Sequence, residues 1–236
     1  MKTWTTPEGS YSELYKMMLN ENHLLIAGAS GSGKSVVLNG IITSALYNAP
    51  CENQMILIDP KRVELSIYKR LPHVMTYATE IEDILSALNK AVDIMESRYV
   101  EMEEEGIRKY KGSHIYIIID EFADLILTDK KNVDPLIQRL AQLGRAANIH
   151  VILATQCVLA EIISTKIKCN FPSRVALKTS NAQDSRNILD RSGAEMLPRY
   201  GQCIFQISGD EPCIYNVPMG EEEEIDRLIT WWIEQK

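Results

Sequence analysis

The sequence predicts an α/β protein built on a mostly parallel sheet, and three observations carry that expectation. Short apolar runs alternate with segments of helical periodicity, as in strands joined by crossover helices. Two runs, Gln54-Met55-Ile56-Leu57-Ile58 and Ile115-Tyr116-Ile117-Ile118-Ile119, are nearly continuous, as strands covered on both faces must be. A glycine-rich stretch, Gly28-Ala29-Ser30-Gly31-Ser32-Gly33-Lys34-Ser35, separates a strand-like run from a helix-like one.

Taken in order, strands are expected at 24–28, 54–58, 115–119, 151–154 and 174–177. After the glycine stretch, Val36, Val37, Leu38, Ile41 and Ile42 recur at helical spacing. A long helix is expected over roughly 80–104, with Ile81, Ile84, Leu85, Leu88, Ala91, Val92 and Met95 on one face and Gly106 as its stop. A further helix is expected at 133–147, with Pro135 in its first turn. Residues 202–207 and 213–217 flank Ser208-Gly209-Asp210-Glu211-Pro212 and read as an antiparallel hairpin. The last helix is expected from about 221 to 234. One domain over 1–236 accounts for the chain, with 1–20 as an N-terminal extension and 221–236 as a C-terminal helix.

The bulk numbers narrow the function. Apolar residues are 45% of the chain, enough for a sizeable core, and no run approaches the ~18–20 apolar residues of a membrane span. Met1-Lys2-Thr3-Trp4-Thr5-Thr6-Pro7 lacks the apolar core of a signal peptide, so a cytoplasmic protein is expected. A net charge of −7 argues against a surface that coats nucleic acid as a whole, though not against a local basic strip. Two glutamate runs, at 101–105 and 221–224, read as solvated helix ends. The five cysteines, Cys51, Cys157, Cys169, Cys203 and Cys213, form no C-x-x-C; Cys203 and Cys213 could face each other across the hairpin, in reduced form. The histidines at 23, 73, 114 and 150 have no metal-ligand spacing.

The glycine stretch fits G-x-x-x-x-G-K-[ST] in the strand–loop–helix context that gives the pattern meaning. Its eight residues, Gly28 to Ser35, are expected to bind ATP: backbone N–H groups and the helix N-terminus draw in phosphate, and Lys34 reaches the terminal phosphates. The Ser35 hydroxyl is expected on Mg²⁺. At the end of strand 115–119 stand Asp120, expected to hold Mg²⁺, and Glu121, expected to orient and deprotonate the attacking water. A helix cap is the competing use of such a carboxylate pair. Strand 151–154 ends in Thr155-Gln156.

Longer phrases resemble the motor of the FtsK/SpoIIIE family: "HLLIAGASGSGKSVVLNGIITSALY", "ILIDPKRVELSIYKRLPHV", "IIIDEFADLI", "LIQRLAQLGRAANIHVILATQ", "FPSRVAL" and "DSRNILDRSGAEML". They run in order from about 20 to 218, and Asp59-Pro60-Lys61-Arg62-Val63-Glu64-Leu65 is especially diagnostic. The resemblance implies a RecA-like P-loop NTPase fold, a homo-oligomeric, hexameric ring, ATP hydrolysis at subunit interfaces and passage of double-stranded DNA through the hole. At matching positions it implies Gln156 as a sensor of the terminal phosphate and Arg145 as an arginine finger reaching a neighbour, with binding of the helix C-terminus as that arginine's bland alternative. Arg174 is the reserve finger, and Arg186 and Lys168 match positions expected to touch DNA. Lys61 and Arg62 either line the interface or hold the 59–68 loop by salt bridges.

Two departures bear on the DNA grip. Cys157-Val158 stands where the family usually has Arg-Pro, and Asn181-Ala182-Gln183 lacks the usual lysine before Asp184-Ser185-Arg186. Each lost phosphate contact weakens binding and its salt dependence. The alternative is therefore a coupling or secretion ATPase acting on a protein or protein–DNA substrate, with membrane, relaxase or secretion partners. The family's membrane helices and winged-helix module have no counterpart in these residues, so an excised motor domain or a minimal stand-alone member is expected.

Overall fold

The computed structural model describes residues 11–47 and 53–234; Cys51 lies outside them. Eight strands form one sheet in the order β3-β2-β4-β5-β1-β6-β7-β8. They are β1 (His23–Ala27), β2 (Asn53–Ile58), β3 (Val74–Ala78), β4 (His114–Ile119), β5 (Ile149–Thr155), β6 (Ser173–Ala176), β7 (Gln202–Gln206) and β8 (Cys213–Asn216). The first six run parallel; β7 turns back antiparallel to β6, and β8 antiparallel to β7. In parallel sheets the carboxyl ends of the strands share one edge, where ligands collect.

Alternation along the strands divides the core into two layers. Leu25 and Ala27 of β1 pack with one cluster, under helices α3 (Ile81–Glu105), α4 (Phe122–Leu143), α5 (Thr165–Asn170) and α6 (Ala182–Leu189). Leu24 and Ile26 pack with the other, under α1 (Tyr11–Asn20), α2 (Lys34–Tyr47) and α7 (Glu222–Glu234). Both β1 and β5 are buried along their whole length, which explains their unbroken apolar character.

The expected strands and hairpin are present, with ends shifted by a residue or two. β3 is an addition: its residues are mostly half-buried at a sheet edge, so their pattern is mixed. The helix expected at 133–147 begins instead at Phe122 and stops at Leu143. It breaks at Asp129 (φ −149°, ψ 67°), whose carboxylate accepts the Asn132 N–H at 3.3 Å and the Asn132 side-chain amide at 2.7 Å. Pro135 therefore lies inside the second segment rather than in its first turn, and Arg145 lies in the turn beyond the helix. The two hairpin cysteines do not face each other: Cys203 pairs with Tyr215 and Cys213 with Phe205. Cys203 is buried, and burial pushes its thiol up to about 12.

Candidate nucleotide-binding and hydrolysis site

The glycine stretch leaves β1 at the carboxyl edge and runs into α2. Its backbone is tied to both neighbouring strands: the Gly28 N–H donates to the Thr155 carbonyl at 3.4 Å, and the Ala29 N–H to Lys178 at 2.8 Å. Gly33 adopts φ 98°, a backbone region open to glycine, with nothing within 4 Å of where a Cβ would sit. The loop thus encloses open space. The Ser32 hydroxyl is buried there with no protein partner, a donor available to an oxyanion.

Lys34 is 4% exposed, and its ammonium contacts the Asp120 carboxylate and donates to the Asp120 carbonyl at 2.8 Å. Burial raises the Asp120 pKa, Lys34 opposes that shift, and Glu64 and Asp59 reinforce it. Lysine and aspartate thus meet across the crevice between β1 and β4, on either side of β5. These groups fit a nucleotide triphosphate: an orphan hydroxyl, a cation and a helix N-terminus converge on one open loop. Among the described residues no group of three or more His, Cys, Asp or Glu could hold a metal alone. Mg²⁺ would rest on Ser35, Asp120 and oxygens supplied by the nucleotide and water.

Glu121 stands at the N-cap position of α4, yet its side chain caps nothing. Its carboxylate, 3% exposed, instead turns to the end of β5. Oε1 accepts the Thr155 hydroxyl at 2.6 Å and the Gln156 N–H at 3.1 Å; Oε2 accepts the same N–H at 3.2 Å and the Lys61 ammonium at 3.4 Å. The carboxylate is thus held in one orientation beside the loop. Gln156 is half-buried at the same place. Next to the loop lies a cavity of 510 Å³, walled by Leu177, Tyr200, Val217 and Met219. That volume suits a small-molecule site. Tyr200 and Met219 are 59% and 78% exposed, a large apolar surface beside a polar loop.

Arg145 lies elsewhere. It precedes β5, at the amino edge of the sheet, and lines two polar cavities of 590 and 490 Å³ there. The seven residues of β5 separate it from Glu121's partners, ~20 Å at the usual strand rise. The turn that carries it is fixed. The buried Arg98 guanidinium donates to the Ala147 carbonyl at 2.6 Å, and the Asn148 amide to Tyr110 and Gly112 at 3.0 and 3.1 Å. Three histidines that look scattered in sequence meet near this edge. His114 Nδ1 is 2.8 Å from His150 Nε2, and among the described residues no three His, Cys, Asp or Glu side chains are placed to hold a metal. Burial lowers His23 to about 4 and His150 to about 3, so both are neutral at pH 7.

Arg174, the reserve finger, is spent on structure: it is 7% exposed and binds Asp190 at 2.6 Å and the carbonyls of Phe171, Lys168 and Ile188 at 3.1 Å. Lys168 binds the same Asp190 at 2.5 Å. Arg186 is exposed on α6, and Asn187 of that helix donates to the Val158 carbonyl at 2.8 Å. Arg186 therefore lies on the helix beside the Cys157–Val158 loop, whereas Lys168 precedes β6 and lies toward the amino edge, next to Cys169, which shares a cavity with Arg145. Sequence reasoning left Lys61 between the interface and salt bridges that hold its loop, named Thr155 only as a strand end, and did not single out Tyr200 or Met219; Lys61 in fact pairs with Glu121 and Asp124. The contacts of Thr155 and Lys61 with Glu121 join residues 34 and 60 apart in the chain, so no local pattern could have revealed them.

Comparison with known proteins gives this geometry a lineage. The chain is 41% identical to the DNA translocase FtsK of Oceanobacillus iheyensis over 251 aligned positions, covering 97% of this chain and 32% of that one. It is 39% identical to the DNA translocase SpoIIIE of Bacillus subtilis, covering 97% and 31%. The chain thus spans about a third of the length of these curated relatives. In fold it is similar to the pCW3 conjugation coupling protein TcpA with ATPγS, at TM-score 0.78 and 23% identity, covering 91% of this chain and 66% of that one. The match to the FtsK/SpoIIIE family itself takes in residues 4–116 and 109–159, from before the phosphate loop to past Glu121 and its Thr155 partner, and by it the chain belongs to that family.

Proposed function

We propose that this chain is the ATP-hydrolysing motor of a translocase that moves double-stranded DNA. The observation that carries hydrolysis is Glu121: a buried carboxylate, fixed by Thr155, Gln156 and Lys61, one residue from the aspartate that meets Lys34. Mere storage of a nucleotide needs no such base. When bound, ATP and Mg²⁺ supply the transferable phosphoryl group and the charge that draws it out. The chain's own residues bind and orient. Gly28–Ser35 cradle phosphate, Ser32 offers its free hydroxyl, Lys34 passes from Asp120 to phosphate oxygen, and Glu121 takes the proton of the attacking water. The cavity beside Tyr200 and Met219 receives the base of the nucleotide.

DNA as substrate follows from the relatives, which carry the name DNA translocase. Arg145 lies too far from its own phosphate loop to serve it, which supports a neighbour's site as its target and a closed ring, hexameric by the family resemblance, as the assembly. One observation favours a protein substrate instead: Lys168 is already paired with Asp190, and Cys157 and Ala182 carry no charge. ATP turnover with and without long double-stranded DNA, at low and moderate salt, separates the readings, with Glu121→Gln as control. Stimulation by DNA that weakens with salt and vanishes in the control is expected. Turnover indifferent to DNA at low salt would overturn the DNA reading and leave the ATPase.

A further inference from the structure

The Asp59-Pro60-Lys61-Arg62 turn follows β2 at the carboxyl edge, and it is anchored without help from Lys61. Asp59 is fully buried; its Oδ2 accepts the Leu65 N–H at 3.0 Å and the Tyr77 hydroxyl at 3.3 Å, and its own N–H donates to Ala78 at 3.0 Å. Arg62 adopts φ 60°, donates its N–H to the Asp59 carbonyl at 3.1 Å and pairs its guanidinium with Glu80. The turn is thus closed onto β3 and the start of α3. Its remaining charged side chain at the tip, Lys61, reaches the other way. Its ammonium lies 3.4 Å from Glu121 Oε2 and 3.5 Å from Asp124 Oδ2. Burial draws the Lys61 pKa down, but Glu121 and Asp124 outweigh it and the net shift is upward.

A buried carboxylate is steadied by a partner at each oxygen. Thr155 fixes Oε1 by a short bond, while Oε2 has only a shared backbone N–H besides the lysine. We infer that Lys61 is a positioning residue for ATP hydrolysis: its ammonium, steadied by Asp124, orients the Glu121 oxygen that Thr155 does not hold. The inference rests on the reading of Glu121 as the hydrolytic base. The motif's lysine then serves the chemical step within its own subunit, while its aspartate and arginine serve the fold.

The test is single-turnover ATP hydrolysis together with equilibrium binding of a non-hydrolysable ATP analogue, on the full chain. Lys61→Met should slow hydrolysis about 10- to 100-fold, the worth of a charge-assisted hydrogen bond. Analogue affinity should stay within about twofold, as expected for an interaction acting on the chemical step alone. Lys61→Arg should recover most of the rate. In the Glu121→Gln background, Lys61→Met should add no further loss, because the two residues act as one unit. Hydrolysis by Lys61→Met at the wild-type rate would overturn the inference. So would equal losses of binding and hydrolysis, or full additivity with Glu121→Gln, since either marks a general structural role. A Glu121→Gln chain that hydrolyses ATP normally would instead overturn the underlying reading of the base.

Discussion

Lys34 and Asp120 are each almost fully buried, and each is the other's counter-ion. Buried charges survive only in such pairs, and removing one partner leaves the other stranded. Lys34→Met should therefore lower unfolding free energy by ~3 kcal/mol, apart from abolishing nucleotide binding. Adding Asp120→Asn should restore much of that stability without restoring binding. Urea denaturation of the two variants measures both effects. If the single variant is as stable as the parent, the pair is not the counter-ion arrangement described. On the function proposed above, nucleotide binding would be an exchange, in which the lysine trades a carboxylate for a phosphate. Asp120 is left to find another cation, a role Mg²⁺ can fill.

The helices show where packing decides. In α2, Gly40 lies against the Tyr15 ring of α1: a Cβ there would sit 2.1 Å from Tyr15 Cζ. The tyrosine cannot swing aside freely, because its hydroxyl donates to the Pro218 carbonyl at 2.7 Å. Gly40→Ala should cost ~1–3 kcal/mol by overpacking, although alanine favours a helix, and lower Tm by ~2–12 °C. Thermal melting of that single variant checks it; an unchanged or raised Tm would mean that the two helices separate easily. Much at this scale was legible in the sequence. The sheet's inner strands are long apolar runs, and α3 carries its apolar face and its Gly106 stop openly (φ 66°). β3 was not legible, because an edge strand with half-buried Val74, Met75, Thr76 and Tyr77 has no clean period. The start of α4 was hidden too. Asp120 and Glu121 end the strand so abruptly that the helix begins at once, and the Asp129 break makes its second half look like a separate element. The phosphate loop was legible as local chemistry; the clamp on Glu121 was not, being assembled by the sheet.

Over the whole molecule, the two functional edges are set by strand direction. All six parallel strands end at the edge that carries the phosphate loop, so a residue that precedes a strand, as Arg145 does, is delivered to the far side. If Arg145 completes a neighbour's site, Arg145→Ala and Glu121→Gln chains are each inactive alone, and an equimolar mixture regains ATP turnover at junctions that pair an intact arginine with an intact glutamate. A mixture as inactive as its components, in a sample shown to co-assemble, would remove Arg145 from the site. Between those edges β5 behaves as a short strut. It is buried on both faces along its length and flanked by β4 and β1. One end is bolted to Glu121 through Thr155 and Gln156; the other carries the turn that Arg98 and Asn148 clamp. Close-packed interiors compress little. A ligand that shifted Glu121's partners at one end of β5 would therefore have part of that displacement carried along the strand to the turn that holds Arg145.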